Sequence, residues 1–205
     1  AGGVNTLALA RWNGSAWLEL NTGVNNVVRA LCVFNNELYI GGDFTSPYLH
    51  ITRWNGTTLV DIPYGARGDV LALTAAPTRV IIGGAFSIAG NVQADCIISW
   101  DGTSWAGFST GMNFLVNTVL YYQNMIIAGG QFTTAGGITV NRIAKYTNSW
   151  NSMNGGMNGQ VTALTEYDGK VIAGGVFTSA GTTPVNNIAV WQDILGVIKI
   201  NENIP

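Results

Sequence analysis

Gly129-Gly130-Gln131-Phe132-Thr133 decides the fold, because the same five-residue pattern stands at Gly41-Gly42-Asp43-Phe44-Thr45, Gly83-Gly84-Ala85-Phe86-Ser87 and Gly174-Gly175-Val176-Phe177-Thr178. Successive first glycines are 42, 46 and 45 residues apart. A sustained period of that size marks a repeat architecture with blades of about four strands. A second signature runs in step, an apolar segment ending at Trp12, Trp54, Trp100, Tyr146 and Trp191, with Leu9, Ile51, Ile97, Ile143 and Ile188 three positions earlier. Odd and even positions of a strand face opposite ways, so aromatic and aliphatic residues divide between its faces.

Each repeat reads as four antiparallel strands. After the aromatic come Asn13-Gly14, Asn55-Gly56 or Asp101-Gly102, pairs that suit the positive φ angles of a type I′ hairpin turn. The second strand carries Trp17, Leu59, Trp105 or Trp150 and stops at a glycine step such as Gly111-Met112-Asn113. Apolar runs over 27–34, 70–75, 116–122 and 161–167 form the third strand, and the fourth ends in the double glycine. Such small sheets bury both faces only by stacking, and radial stacking also protects their edges. The expectation is an all-β propeller of four-stranded antiparallel blades over residues 1–192. Five first strands stand against four of each other kind, which favours five blades with a composite fifth, or else a slice of a larger array. Residues 193–205 read as an extended tail, with one extra edge strand as the alternative.

Composition agrees with one globular β domain. The chain has 205 residues, 47% hydrophobic and 10% charged, with 27 glycines spread in register and only 5 prolines, so Asn, Ser, Thr and Gly make its polar surface. A net charge of −2 without any Lys/Arg run argues against nucleic acid. No apolar stretch is long enough for direct membrane insertion. Cys32 and Cys96 occupy different places in their repeats, so they read as small apolar residues and neither as a metal site nor as a repeated crosslink.

The repeat resembles those of kelch-like and related propellers of bacterial surface and secreted proteins and of fungal cortical markers. The residues that carry the likeness are Asn141 to Tyr146, Asp101 to Trp105, Gly111-Met112-Asn113 and Gly129 to Gly137. The second repeat departs from it, with Leu59 for Trp and a shortened segment after Thr45. Ile194 to Pro205 resembles the linker before a type IX secretion sorting domain. These likenesses imply an extracellular or cell-surface protein trimmed from a longer precursor.

Little in the sequence carries catalysis. His50 is the single histidine, the eleven acids are scattered, and Asp61 with Asp69 or Glu166 with Asp168 are the nearest things to a carboxylate pair. The double glycines are followed by no Gly-Lys-Ser/Thr, so they are not phosphate loops. Asn13-Gly14-Ser15 and Asn55-Gly56-Thr57 match a glycosylation acceptor but read as turns. The sequence therefore predicts a non-enzymatic module without cofactor or metal, offering propeller loops to a protein partner or to self-assembly. The rival expectation is a multivalent lectin that stacks carbohydrate on Trp17, Trp105 and Trp150.

Overall fold

The computed structural model describes residues 8–20, 23–192 and 196–198, all of it strand, turn or loop. A hairpin of β1 (Ala10–Trp12) and β2 (Trp17–Glu19) opens the chain. The first blade then follows as β3 (Val28–Phe34), β4 (Glu37–Gly42), β5 (Ile51–Trp54) and β6 (Leu59–Asp61), hydrogen-bonded in that order. In the second, β7 (Ala66–Ala76), β8 (Arg79–Ala89), β10 (Ile97–Trp100) and β11 (Trp105–Gly107) form the sheet, and β9 (Val92–Gln93) pairs with the extended end of β8. The third is β12 (Val116–Tyr122), β13 (Met125–Gly130), β16 (Ile143–Tyr146) and β17 (Trp150–Ser152), with a small hairpin of β14 (Thr134–Ala135) and β15 (Ile138–Thr139) inserted. The fourth is β18 (Gln160–Tyr167), β19 (Lys170–Val176), β22 (Ile188–Gln192) and β23 (Gly196–Ile198), with β20 (Ser179–Ala180) and β21 (Thr183–Pro184) as the matching insert.

These four antiparallel blades have a propeller arrangement, their inner strands packing in succession, β3 on β7, β7 on β12 and β12 on β18. One apolar cluster lies between each pair of neighbours, and a fourth joins Leu9, Leu20 and Val24 of the hairpin region to Ile40, Phe44 and Leu59 of the first blade. No comparable packing joins β18 to β3. The described blades thus form an arc with two ends.

The double glycine has two separate steric reasons. A Cβ on the first glycine would run into the next blade: Gly41 lies against Val70 and Leu73, Gly83 against Val116 and Val119, Gly129 against Val161. A Cβ on the second would strike the carbonyl of the residue that leads into its own inner strand, Val27, Asp69, Leu115 or Gln160. Val70, Val116 and Val161 are completely buried in these sockets, and each such side chain contributes roughly 1.5–3 kcal/mol. The phenylalanine that follows is buried in all four repeats.

Two further fastenings hold this corner. His50, Cys96, Arg142 and Asn187 take left-handed backbone angles. Each donates its N–H to the phenylalanine carbonyl at 2.7–2.9 Å and accepts the N–H of the second glycine at 2.9–3.0 Å. The asparagine of the glycine step supplies the rest. Asn113 Oδ1 accepts the N–H groups of Thr133 and Thr134 at 2.8 and 2.9 Å, and its amide donates to Thr133 Oγ1 at 2.9 Å. Asn25 and Asn158 repeat the clamp on Thr45–Ser46 and Thr178–Ser179. In the second repeat Arg67 replaces the asparagine, and β7 instead pairs with β8 out to Ala66↔Ala89 through two register shifts.

Three sequence expectations are corrected. The Asn-Gly and Asp-Gly pairs do not form type I′ turns, because only Gly14, Gly56 and Gly102 have positive φ. Their loops span four residues, and the Asn13, Asn55 or Asp101 side chain accepts the backbone N–H groups two and three residues on. Type I′ geometry appears instead in the inner hairpins, at Asn35-Asn36, Gln123-Asn124 and Asp168-Gly169, where both residues have positive φ. Among the described residues second strands number five, since β23 pairs with β22 and completes the fourth blade, so Gly196–Ile198 form the edge strand that was the alternative to a tail. The rest of 193–205 lies outside the described residues.

Gly174 is the socket without an occupant among the described residues, since of these a Cβ there would meet only Ala163 of its own blade, at 3.9 Å. Replacing Gly83 by Ala is therefore expected to lower stability by about 1–3 kcal/mol through overpacking. Gly174→Ala is expected to be neutral or slightly stabilising, by up to ~1 kcal/mol. Urea unfolding of the two variants checks the contrast, and equal losses would remove the socket explanation.

Candidate functional site

Because the corners repeat, so do the clefts between them. A cleft of about 670 Å³ opens between the second and third blades, lined among others by Arg67, Ser87, Asp95, Cys96, Asn113 and Phe114. A smaller one of about 330 Å³ lies one blade further on, with Asn141, Arg142 and Asn158 in the places of Asp95, Cys96 and Asn113. The half-exposed ring of Phe114 gives the larger cleft an apolar wall, and Arg67 and Asp95 bring opposite charges to its lining. Asp95 accepts a hydrogen bond from the Gln93 amide, and Asn141 donates to the Gly155 carbonyl at 3.0 Å, so the position first serves the corner.

The three tryptophans singled out in the sequence do not form one site. Trp150 is buried, and its indole N–H donates to the Phe108 carbonyl of the preceding repeat at 3.1 Å. Trp105 is half-buried over Gly90 and donates to the Pro63 carbonyl at 3.0 Å. Both indoles thus fasten one blade to the last. Trp17 has no such partner blade among the described residues and is exposed, and so is Trp12 at the repeat-wide aromatic position, in contrast to the buried Trp100 and Trp191. Their rings pack against each other with centroids 5.6 Å apart, as do Trp100 with Trp105 and Tyr146 with Trp150 at 5.0 and 5.2 Å.

The remaining reactive groups are occupied by structure. His50 is buried, its Nδ1 lying 3.2 Å from the Gly42 carbonyl and 3.4 Å from Asp69 of the next blade, so it bridges two blades. Asp101 is held below the usual carboxylate range by the Thr103 and Ser104 N–H groups of its turn, and Asp168 by Lys170. Asp61 and Asp69, or Glu166 and Asp168, line neither of these two clefts. Among the described residues no three His, Cys, Asp or Glu side chains group as metal ligands. The sequence reading overlooked the clamp asparagines Asn25, Asn113 and Asn158; their signal was the position after Gly-Met or Gly-Val, three times in register.

Cys32 and Cys96 are free thiols, each half-buried. Burial pushes Cys32 from 9.0 up to about 12, and Cys96 upward for the same reason. The unfolded thiol ionises first, so the contribution of Cys32 to stability is full below pH 9 and lost as pH rises through about 12. Chemical denaturation between those limits is expected to show a steeper fall for the native chain than for Cys32→Ala, and identical slopes would contradict the assigned burial.

A family model described as a domain of unknown function (DUF5122) beta-propeller matches residues 124–151 and 168–189, which run from β13 into β17 in the third blade and from β19 into β22 in the fourth. Among solved structures, the chain is similar to the computationally designed Ika4 protein at 18% identity, covering 83% of this chain and 93% of that one, with a TM-score of 0.56. It is also matched to the computationally designed Ika8 protein at 18% identity, over 83% of this chain and 59% of that one, with a TM-score of 0.46. The Ika4 likeness is one of fold. Comparison with curated proteins finds no match.

Proposed function

We propose that this chain is a non-enzymatic interaction module, acting outside the cell or on its surface, that docks a protein partner or a further copy through the uncovered ends of its blade arc. One comparison carries the reading. Tyr122 and Tyr167 hold the same repeat position, yet Tyr122 is 2% exposed beneath the following blade and Tyr167 is 74% exposed. At the other end Leu31 is 53% exposed where its counterpart Val119 is 7% exposed. Val33, two positions on in the same strand, is exposed as well. Uncovered apolar surface of this kind marks an interaction site.

Other features support the same reading. His50 and the acids serve turns and blade junctions, and the low charge leaves a surface of Asn, Ser and Thr. The likeness to kelch-like surface propellers, and of the tail to an exported protein's linker, supports the extracellular placement. A ring of five positions suits the hairpin of β1 and β2, which has the pairing of the outer strands of a blade and packs beside the first blade.

Sedimentation over a concentration series, with a hydrophobic dye as second readout, tests the docking surface on the native chain, Leu31→Lys and Tyr167→Lys. The native chain is expected to self-associate or bind dye, and each variant to reduce the effect several-fold. Indifference of both readouts to both substitutions would sink the reading.

A lectin remains the second reading, on the exposed Trp12 and Trp17 rings. Glycan-array binding that Trp17→Ala abolishes, with fold intact, would establish it, and a silent array would remove it.

A further inference from the structure

We propose that the cleft between the second and third blades binds a small zwitterion with an apolar body, the chemistry that a free amino acid and a short peptide share. The cleft lies between two complete blades in the middle of the chain. The inference therefore goes beyond the docking reading above and is independent of it.

The repeat supplies its own baseline. Arg67 stands where the other three repeats have the clamp asparagines Asn25, Asn113 and Asn158. Phe114 stands where they have Asn26, Gly68 and Gly159, and Asp95 where they have Leu49, Asn141 and Asn186. These three departures are a cation, an aromatic ring and an anion, and all three line one cleft of about 670 Å³. The cleft one blade further on has Asn113, Gly159 and Asn141 in the corresponding places and a volume of about 330 Å³.

The fold leaves the chemistry of these side chains to the cleft. The second corner closes by pairing β7 with β8 out to Ala66↔Ala89, so Arg67 has no clamp to make and is exposed. Asp95 accepts the Gln93 amide through Oδ1 alone, and among the described residues its Oδ2 has no partner. Nor do Arg67 and Asp95 form an ion pair with each other among those residues. Phe114 is 51% exposed.

Opposite charges that line one cleft without neutralising each other favour a ligand that carries both charges, separated. A ligand carboxylate suits the planar fork of Arg67, a ligand ammonium suits Asp95, and an apolar body lies on the Phe114 ring. A plain anion would also face Asp95, and a plain cation would also face Arg67. A neutral sugar stacks on the ring but supplies a counter-charge to neither group. The cleft is within the roughly 300–1,000 Å³ of small-molecule sites.

Isothermal titration calorimetry of the 205-residue chain tests the site with two probes, L-phenylalanine and the tripeptide alanyl-phenylalanyl-alanine. Each is measured beside its N-acetyl form and its C-terminal amide. At least one probe is expected to bind saturably with a Kd below ~1 mM, and blocking either end to weaken it by at least ~10-fold. Whichever probe binds tells a free amino acid from a peptide. Arg67→Asn and Asp95→Asn install the residue that other repeats carry, so both are expected to keep the native urea midpoint. Arg67→Asn is expected to weaken the free probe but not its amide, and Asp95→Asn to weaken the free probe but not its acetylated form. A merely structural role would weaken every form alike. Phe114→Asn is expected to weaken all forms several-fold.

Absence of saturable binding by both probes overturns the proposal, and so does binding that is indifferent to the blocked ends or to the Arg67 and Asp95 variants. Binding of methyl glucoside in their place, lost in Phe114→Asn, would overturn it as well and name a saccharide. The docking reading is judged separately, by Leu31→Lys and Tyr167→Lys, neither of which lines this cleft.

Discussion

The insertion of a valine from each inner strand against the first glycine of the preceding blade is the contact on which this architecture depends. It fixes the distance between blades, because any side chain at Gly41, Gly83 or Gly129 would occupy the space of the incoming valine. It also fixes their order along the chain, since glycine and valine lie on opposite sides of each blade. Small sheets of three- to eleven-residue strands have little stability alone. Stacked through these sockets they share continuous apolar clusters, one between each neighbouring pair.

The corner around each socket is a set of local hydrogen bonds that leaves the backbone little choice. The second glycine permits close approach of the inner-strand carbonyl, the left-handed residue closes the loop behind the phenylalanine, and the asparagine satisfies two N–H groups that would otherwise be unpaired in a turn. The second blade shows that the clamp is one solution of two, for it reaches the same corner by prolonging β7 and β8. Clefts lie between successive corners, and their linings differ because the positions of Asp95 and Cys96 hold Asn141 and Arg142 one blade further on, while Asn113 and Asn158 keep the same place.

Periodicity made the strands, their order and the blade size legible, since alternation and the glycine pair recur with a constant step. The reason for each glycine was not legible, because it lies in atoms of another strand or another repeat. Turn type was misassigned at Asn13-Gly14 because the pair acts there through the asparagine side chain, while Asn35-Asn36 adopts the type I′ angles without any glycine. At β23 the sequence left an extra edge strand only as the alternative to a tail, because Gly196-Val197-Ile198 is short and lacks the aromatic of other second strands. Trp17, Trp105 and Trp150 looked equivalent in sequence, but Trp105 and Trp150 are held by contacts to residues some forty positions earlier, which spacing alone does not reveal. The uncovered ends were equally hidden, because Tyr167 and Leu31 are ordinary members of the apolar pattern.

A double-mutant cycle on Gly41→Ala and Val70→Ala tests the interlock most directly. Each single change is expected to cost about 1–3 kcal/mol, the first by overpacking and the second by opening a cavity. In the double variant the added methyl enters the space that Val70 vacates, so the loss is expected to fall short of the sum by at least ~1 kcal/mol. Strict additivity would show that Gly41 and Val70 do not share that space, and would contradict the account of how the blades are held together.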